Sequence, residues 1–196
     1  GRDYRVEPSS DATQPHHDSL SHEHQPSDRG HHRRSPAMTD DWRTADELDV
    51  ERMIRQSTRE IWDDKLVGKI YEYYADDVVV HGGGGDIVGS EALVEDTLKR
   101  LNAFPETEMN IEKIIWEGNP EDGYYTSMVR TITAENTGPT EYGPPTGKTM
   151  EDNLGIANCL IQKVDGEWKY VEEWIAYDKL GYIKSVTPDD DPIHDY

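Results

Sequence analysis

The stretch that decides the fold is residues 165–186, which read DGEWKYVEEWIAYDKLGYIKSV. Asp165-Gly166 is a strong hairpin signal, because a two-residue type I′ turn needs positive φ at both central positions. A strand is therefore predicted from Glu167 to Tyr177. Strict alternation along this strand places the following residues on one face: Trp168, Tyr170, Glu172, Trp174, Ala176 and Asp178.

Asp178 is the candidate catalytic residue of this stretch. If its strand face lines a cavity, apolar walls disfavour the charged carboxylate and raise its pKa, which suits an acid or base working near neutrality. The alternative is a turn or surface carboxylate, because Lys179-Leu180-Gly181 follows directly and Asp is common in turns.

Three more strands are predicted before the hairpin, over residues 109–116, 124–134 and 149–164. Residues 135–147 contain Gly138-Pro139 and Gly143-Pro144-Pro145, which cannot pair in a central strand. This segment is therefore a long loop and a candidate lid at a cavity mouth.

The region before these strands is predicted to be mainly helical. Apolar residues at intervals of three and four indicate helices over residues 43–74 with a break near Asp63-Asp64. A short strand follows at residues 78–81, and Ser90 begins a helix that reaches about Leu101. Helices followed by long antiparallel strands predict an α+β domain whose curved, mostly antiparallel sheet packs on N-terminal helices.

The chain is predicted to have three parts. Residues 1–40 form a disordered His/Ser/Pro-rich tail, residues 41–187 form the folded domain, and residues 188–196 form an acidic C-terminal tail. Met38 is the predicted natural start, which would make the preceding residues upstream or added sequence. Six of the eight histidines lie in the first tail, but their spacing matches no structural zinc pattern.

Charge and composition exclude several classes of partner. The formal net charge is −21, and a surface without clustered Lys and Arg repels both nucleic acid and anionic membranes. No apolar run is long enough to span a bilayer, and one cysteine cannot form an internal disulfide. Residues 82–85 are a glycine run without the Gly-Lys-Ser/Thr ending of a phosphate loop. We therefore expect a cytoplasmic protein with no metal, no organic cofactor, no nucleic-acid partner and no membrane partner.

Several motifs, in this order along the chain, carry a resemblance to a known family: Asn102-Ala103-Phe104-Pro105, Ile111-Glu112, Gly143-Pro144-Pro145-Thr146-Gly147-Lys148, Asp165-Gly166 and Trp174-x-x-x-Asp178-x-x-Gly181. Over roughly residues 50–187 the sequence resembles the SnoaL-like polyketide cyclases of the nuclear transport factor 2-like superfamily. This resemblance implies a cone-shaped α+β barrel with an apolar pocket, usually in a homodimer. For the cyclases it also implies an intramolecular aldol condensation, with an Asp that falls on Asp178 as acid and base.

The sequence departs from the family pattern at two positions. Where the cyclases use a histidine on the strand before the hairpin, residues 157–162 contain none, so Asn158 or Gln162 would have to substitute. Ser185 replaces a glutamine that is typical of the segment after the Asp.

Further side chains are predicted to complete the site. His81 is a candidate catalytic donor at the end of its strand, with a packing or surface role as the alternative. Arg130 shares a strand face with apolar residues and is predicted to bind substrate, with a snorkelling surface arginine as the alternative. Trp168, Tyr170 and Trp174 are predicted pocket walls for a flat hydrophobic or aromatic substrate, although aromatic residues on a strand face are commonly core.

Three functions are compatible with this pattern. The first is a cyclase or isomerase that acts on a polyketide-like or other carbonyl compound. The second is an epoxide-hydrolase-like enzyme in which two carboxylates and an arginine activate water. The third is a non-catalytic module for ligand binding or dimerisation, because one fold hosts many activities.

Overall fold

The structure is a computed structural model, and it describes residues 42–195. One six-stranded sheet has the order β2-β1-β6-β5-β4-β3 and packs against the helices. The helices are α1 Val50–Thr58, α2 Ile70–Tyr73, α3 Ser90–Ala103 and α4 Lys179–Val186. The strands are β1 Tyr74–Gly82, β2 Gly85–Val88, β3 Glu108–Asn119, β4 Gly123–Glu135, β5 Thr149–Val164 and β6 Glu167–Tyr177. The predicted α+β class is confirmed. The predicted tail at residues 1–40 lies outside the described residues.

The N-terminal helical region is broken where the sequence predicts a break. Asp49 caps α1, because its carboxylate accepts a 3.0 Å hydrogen bond from the backbone N–H of Arg52. The helix then widens into one π-helical turn, Arg59–Asp63, and a 3-10 turn leads into α2. Two consecutive acids followed by Lys65 with φ of 58° end the π-helical turn.

The sheet is mostly antiparallel, and β1 with β6 is its one parallel pair among the described strands. The Asp165-Gly166 hairpin is confirmed, since both residues have positive φ, of 51° and 87°. The predicted bounds of β5 and β6 are also confirmed.

Two elements were not expected from the sequence. The glycine run at 82–85 forms the turn of a β1–β2 hairpin, so a second strand follows where only a loop was predicted. The segment after Asp178 forms α4, although Gly181 lowers its helical propensity. Strand β1 also starts at Tyr74, four residues before the predicted strand.

The core lies between the inner face of the sheet and helices α1 to α3. Met53, Val78 and Trp168 are fully buried there. Trp168 was predicted to be a pocket wall, but it packs in this core, and its indole N–H donates a 2.9 Å hydrogen bond to the carbonyl of Ala45. In the described part of the chain, no helix is both long and apolar enough to cross a membrane.

Candidate active site

A cavity of about 460 Å³ opens between the inner face of the sheet and the helices. Its deep walls are mostly apolar and include Ile54, Ile61, Leu93, Met128 and Ile175. Its exposed lining residues mark the mouth, and they come from the β1–β2 turn, the loop between β4 and β5, and the start of α4: Gly83, Gly84, Asp86, Glu141, Tyr142 and Lys179. The volume is within the range of small-molecule sites.

A β-bulge decides which side chains of β6 face this cavity. Tyr170 pairs with Ile161 and Glu172 pairs with Leu160, so Val171 has no partner in the ladder. The extra residue reverses the alternation beyond this point. Glu173, together with Ile175 and Tyr177, therefore lines the cavity, whereas the alternation predicted from the sequence had placed Glu172 and Trp174 with Tyr170.

Glu173 is a buried carboxylate inside the cavity. It is 8% exposed, and its Oε2 accepts a 3.2 Å hydrogen bond from the hydroxyl of Tyr74. Burial raises the pKa of this carboxyl, while the positive charge of Arg130 and the Tyr74 hydrogen bond partly oppose the rise. A carboxyl with a raised pKa can exchange protons near neutral pH.

Arg130 extends from β4 into the same cavity and is also 8% exposed. Its Nε and Nη1 are buried without a hydrogen-bond partner. Burial lowers the pKa of the guanidinium, and attraction to Glu173 partly compensates for this. Among the described residues, no carboxylate forms an ion pair with it. The predicted inward orientation of Arg130 thus agrees with its position in the structure.

Two tyrosines add hydroxyl groups to the cavity. The rings of Tyr74 and Tyr170 lie 4.8 Å apart, and the Tyr170 hydroxyl is 3.0 Å from the hydroxyl of Ser57. Burial raises the pKa of both phenols well above the usual value, so they remain neutral hydrogen-bond donors. Tyr170 therefore lines the cavity as the sequence predicts, and its role in substrate binding stays a prediction.

Asp178 lies at the edge of this arrangement and has a structural function there. It is the N-cap of α4, and its Oδ1 accepts a 2.9 Å hydrogen bond from the backbone N–H of Gly181. Its side chain is exposed, and it does not line the cavity, although Tyr177 and Lys179 on either side of it do. These contacts give Asp178 a structural role, and its catalytic role stays a prediction.

His81 and Trp174 lie together outside the cavity. Their rings stack with centroids 5.6 Å apart, and the two imidazole nitrogens are 2.9 Å from Glu172 and 3.0 Å from Asp86. The hydrogen bond with Glu172, and then that with Asp86, raises the pKa of His81. This cluster lies on the outer face of the sheet and is separate from Glu173.

Asn158 and Gln162 are exposed on β5. The buried residues of this part of the strand are Ala157, Cys159 and Ile161, which face the other side of the sheet. Gln162 donates a hydrogen bond to the carbonyl of Asp122. The structure thus brings Arg130 and Tyr170 together in the cavity and leaves the other five predicted site residues outside it: Asp178, His81, Trp174, Asn158 and Gln162.

Glu173 and Tyr74 are the cavity residues that sequence reasoning missed. The doublet Glu172-Glu173 was the available signal for Glu173, because one of two consecutive strand residues must point inward. Tyr74 lay in a segment that was assigned to a helix. Among residues 42–195, no cluster of three His, Cys, Asp or Glu side chains has the arrangement of a metal site.

Comparison with known proteins supports this fold. The family model described as SnoaL-like polyketide cyclase matches residues 52–185. A protein of Jannaschia sp. CCS1 whose name places it with SnoaL-like polyketide cyclases has 19% identity and a TM-score of 0.57, over 70% of this chain and 92% of its own. AclR of Streptomyces galilaeus has 22% identity and a TM-score of 0.56, over 70% and 96%.

A third solved structure, a Caulobacter vibrioides protein with a cystatin-like fold, has 12% identity and a TM-score of 0.55, over 75% of this chain and 96% of its own. No curated protein is a significant match to the sequence. At these identities the solved structures establish the fold alone.

Proposed function

Because this chain belongs to the SnoaL-like polyketide cyclase family, we propose that it catalyses acid–base chemistry on a carbonyl-bearing small molecule, with Glu173 as the proton-transferring group. The observation that carries this proposal is a buried carboxylate, held by Tyr74, that faces an apolar cavity next to an arginine. The cyclase and isomerase reactions both begin with removal of a proton from the carbon next to a carbonyl group.

The proposed reaction uses Glu173 as the base and then as the acid, and Arg130 as the cation beside it. Ionised Glu173 takes the proton from the carbon, and the electron pair of the broken C–H bond forms an enolate. The positive charge of Arg130 stabilises this negative charge. In an aldol cyclisation the enolate carbon then attacks a second carbonyl of the same molecule, and Glu173 returns its proton to the new alkoxide.

The apolar walls select the rest of the substrate. Ile54, Ile61 and Ile175 have purely hydrocarbon side chains, so a flat hydrophobic or aromatic body is favoured over a sugar or a peptide. Binding of such a body also keeps water away from the enolate.

Deuterium exchange tests the proposal without knowledge of the natural substrate. Aromatic ketones such as 1-tetralone are incubated with the protein in D₂O, and deuterium uptake next to the carbonyl is followed by NMR. We expect catalysed exchange by the wild type and a loss of about 10²–10⁴-fold in Glu173→Gln, which keeps the shape but cannot take the proton. Asp178→Asn is the matched control and should retain the wild-type rate.

Other outcomes select the alternatives. Loss of exchange in Asp178→Asn alone would return the catalytic role to Asp178. Ligand binding without exchange in the wild type would indicate a non-catalytic binding module.

A water-activating hydrolase is the second candidate, because Arg130 and Glu173 already place an arginine and an acid in one cavity. A second carboxylate is needed, and one candidate among the lining acids, Asp96, is bound to Arg100 at 2.6 Å. Incorporation of ¹⁸O from water into an aromatic epoxide, dependent on both Glu173 and Asp96, would favour hydrolysis over the carbonyl reaction.

The outer face of the sheet supports a homodimer, which we include in the proposal. Large apolar side chains are exposed side by side on β3, β4 and β5: Ile115 57%, Tyr125 57%, Leu154 52% and Ile156 38%. Ile156 pairs with Val129 and Ile115 pairs with Ser127, and Val129 and Ser127 alternate on the same face of β4. Exposed large apolar side chains on one sheet face, called the apolar patch below, are typical of a protein interface.

A further inference from the structure

We propose that Arg130 binds a carboxylate group of the substrate, so that the substrate class is an apolar, aromatic acid that also carries a ketone. This inference rests on the proposed function, since it concerns the same cavity. It adds the anionic group by which the substrate is recognised, which the carbonyl chemistry does not require.

The first argument is that the guanidinium has no partner. It carries five N–H donors, yet Nε and Nη1 are buried without an acceptor, and no ion pair to Arg130 exists among residues 42–195. Removing one partner of a buried charge pair leaves a destabilising, uncompensated charge. A ligand bound in the cavity can supply the missing acceptor.

The second argument is the way the sheet holds this side chain. Arg130 is paired with Gly155 of β5, and a Cβ atom on that glycine would lie 3.5 Å from both Cζ and Nη1. The guanidinium therefore lies against the bare backbone of Gly155, which fixes its position. Arg130 lines the cavity, and its Nε and Nη1 have no acceptor within the part of the protein that the structure describes.

The third argument concerns the chemistry of the missing group. Glu173 is not this partner, because it accepts from Tyr74 and forms no ion pair with Arg130. A neutral carbonyl would satisfy one donor and bring no negative charge to the guanidinium. A carboxylate matches both the fork of donors and the charge.

The mouth of the cavity supports a single carboxylate over a phosphate group. Arg100 also lines the cavity, but its Nε is bound to Asp96 at 2.6 Å. A single guanidinium between apolar walls offers too few donors for the oxygens of a doubly charged phosphate.

The test compares a matched pair of ligands, 2-naphthoate and 2-naphthamide, which differ in charge and share their shape. Affinities are measured by calorimetry at about 0.15 M salt, where long-range repulsion from the acidic surface is screened. We expect the wild type to bind the acid at least about tenfold more tightly than the amide. Arg130→Met should bring the ratio close to one, and Arg130→Lys should retain part of the preference.

Equal affinity of the wild type for both ligands would overturn the inference, as would binding of neither, since both fit in the cavity. A preference that survives in Arg130→Met would place the carboxylate elsewhere and also overturn it. If Arg130→Met does not fold, the NMR signal of the Arg130 side-chain N–H in the wild type must shift on addition of the acid and not on addition of the amide.

Glu173→Gln separates this inference from the proposed function. The variant should keep or strengthen the preference for the acid, because it removes a negative charge near Arg130. Catalysed deuterium exchange without a preference for the acid would sustain the reaction and refute the carboxylate site. A preference for the acid without exchange in the wild type would support the carboxylate site and refute the proposed reaction.

Discussion

The hydroxyl of Tyr74 donates a 3.2 Å hydrogen bond to Oε2 of Glu173 and so joins β1 to β6 inside the cavity. Tyr74 is paired with Tyr170 in the parallel part of the sheet, and the bulge at Val171 follows directly. The bulge turns Glu173 inward, and the tyrosine fixes its carboxylate. This contact also lowers the pKa of Glu173 and limits the rise that burial causes.

Tyr74→Phe is expected to move the pH profile of the reaction upward. Without the hydrogen bond the ionised form of Glu173 loses support, so its pKa rises further and the base becomes active only at higher pH. Deuterium exchange measured from pH 5 to 9 in steps of about one unit should show this shift. Tyr73→Phe is the matched control, because the Tyr73 hydroxyl bonds Glu60 outside the cavity lining. Equal shifts in both variants would refute a specific role for Tyr74.

The stability of the protein should depend on pH through Glu173. Its folded-state pKa lies above the ordinary value of 4.5, so the folded state holds the proton more tightly than the unfolded state. The contribution is fully present below pH 4.5 and is lost as pH rises toward the folded-state pKa, by up to about 1.4 kcal/mol per pH unit. Urea unfolding at a series of pH values should show this slope in the wild type relative to Glu173→Gln. Parallel curves for the two proteins would contradict it.

Asp178→Ala should destabilise the protein and leave the chemistry unchanged. The substitution removes the N-cap of α4 and its bond to the N–H of Gly181, which costs about 1 kcal/mol. Asp178→Asn keeps a capping oxygen and should lie close to the wild type. Urea unfolding and deuterium exchange together check this. A lost exchange activity with unchanged stability is the result that would oppose it.

Much of the fold follows from local sequence signals. Alternation and turn residues predict the bounds of β5 and β6, and the family motifs predict the class. The strand β2 and helix α4 were missed because each depends on tertiary contacts: β2 is short and is held by β1, and α4 contains a glycine.

The site is predicted less well, for one physical reason. Periodicity assigns faces on the assumption of a regular ladder, and the unpaired Val171 breaks this assumption. Every residue of β6 beyond the bulge was therefore assigned to the opposite face. Arg130 lies on β4, which pairs with β5 one residue for one from Tyr124 to Ile132, so the alternation along β4 is regular and its inward orientation was predicted.

Asn136→Ala is expected to destabilise the loop between β4 and β5. Asn136 is fully buried, its amide donates to the carbonyls of Ala103 and Gly138, and its oxygen accepts from the N–H of Thr146. Loss of these bonds leaves buried backbone groups unpaired, at a cost of about 2–3 kcal/mol. Thermal and urea unfolding measure the loss. Asn110→Ala is the control, since Asn110 is exposed, and it should change stability by less than about 0.5 kcal/mol.

Ile156→Lys is expected to separate the proposed homodimer. Ile156 lies within the apolar patch of the outer sheet face, and a charge there must lose its water on association without a partner. Light scattering coupled to size exclusion should show a wild-type dimer and a variant monomer, with association weakened by about 100-fold or more. Leu180→Lys is the matched control, because Leu180 is 40% exposed but lies on α4 away from the patch. A monomeric wild type, or equal dissociation of both variants, would show that this face is not the interface.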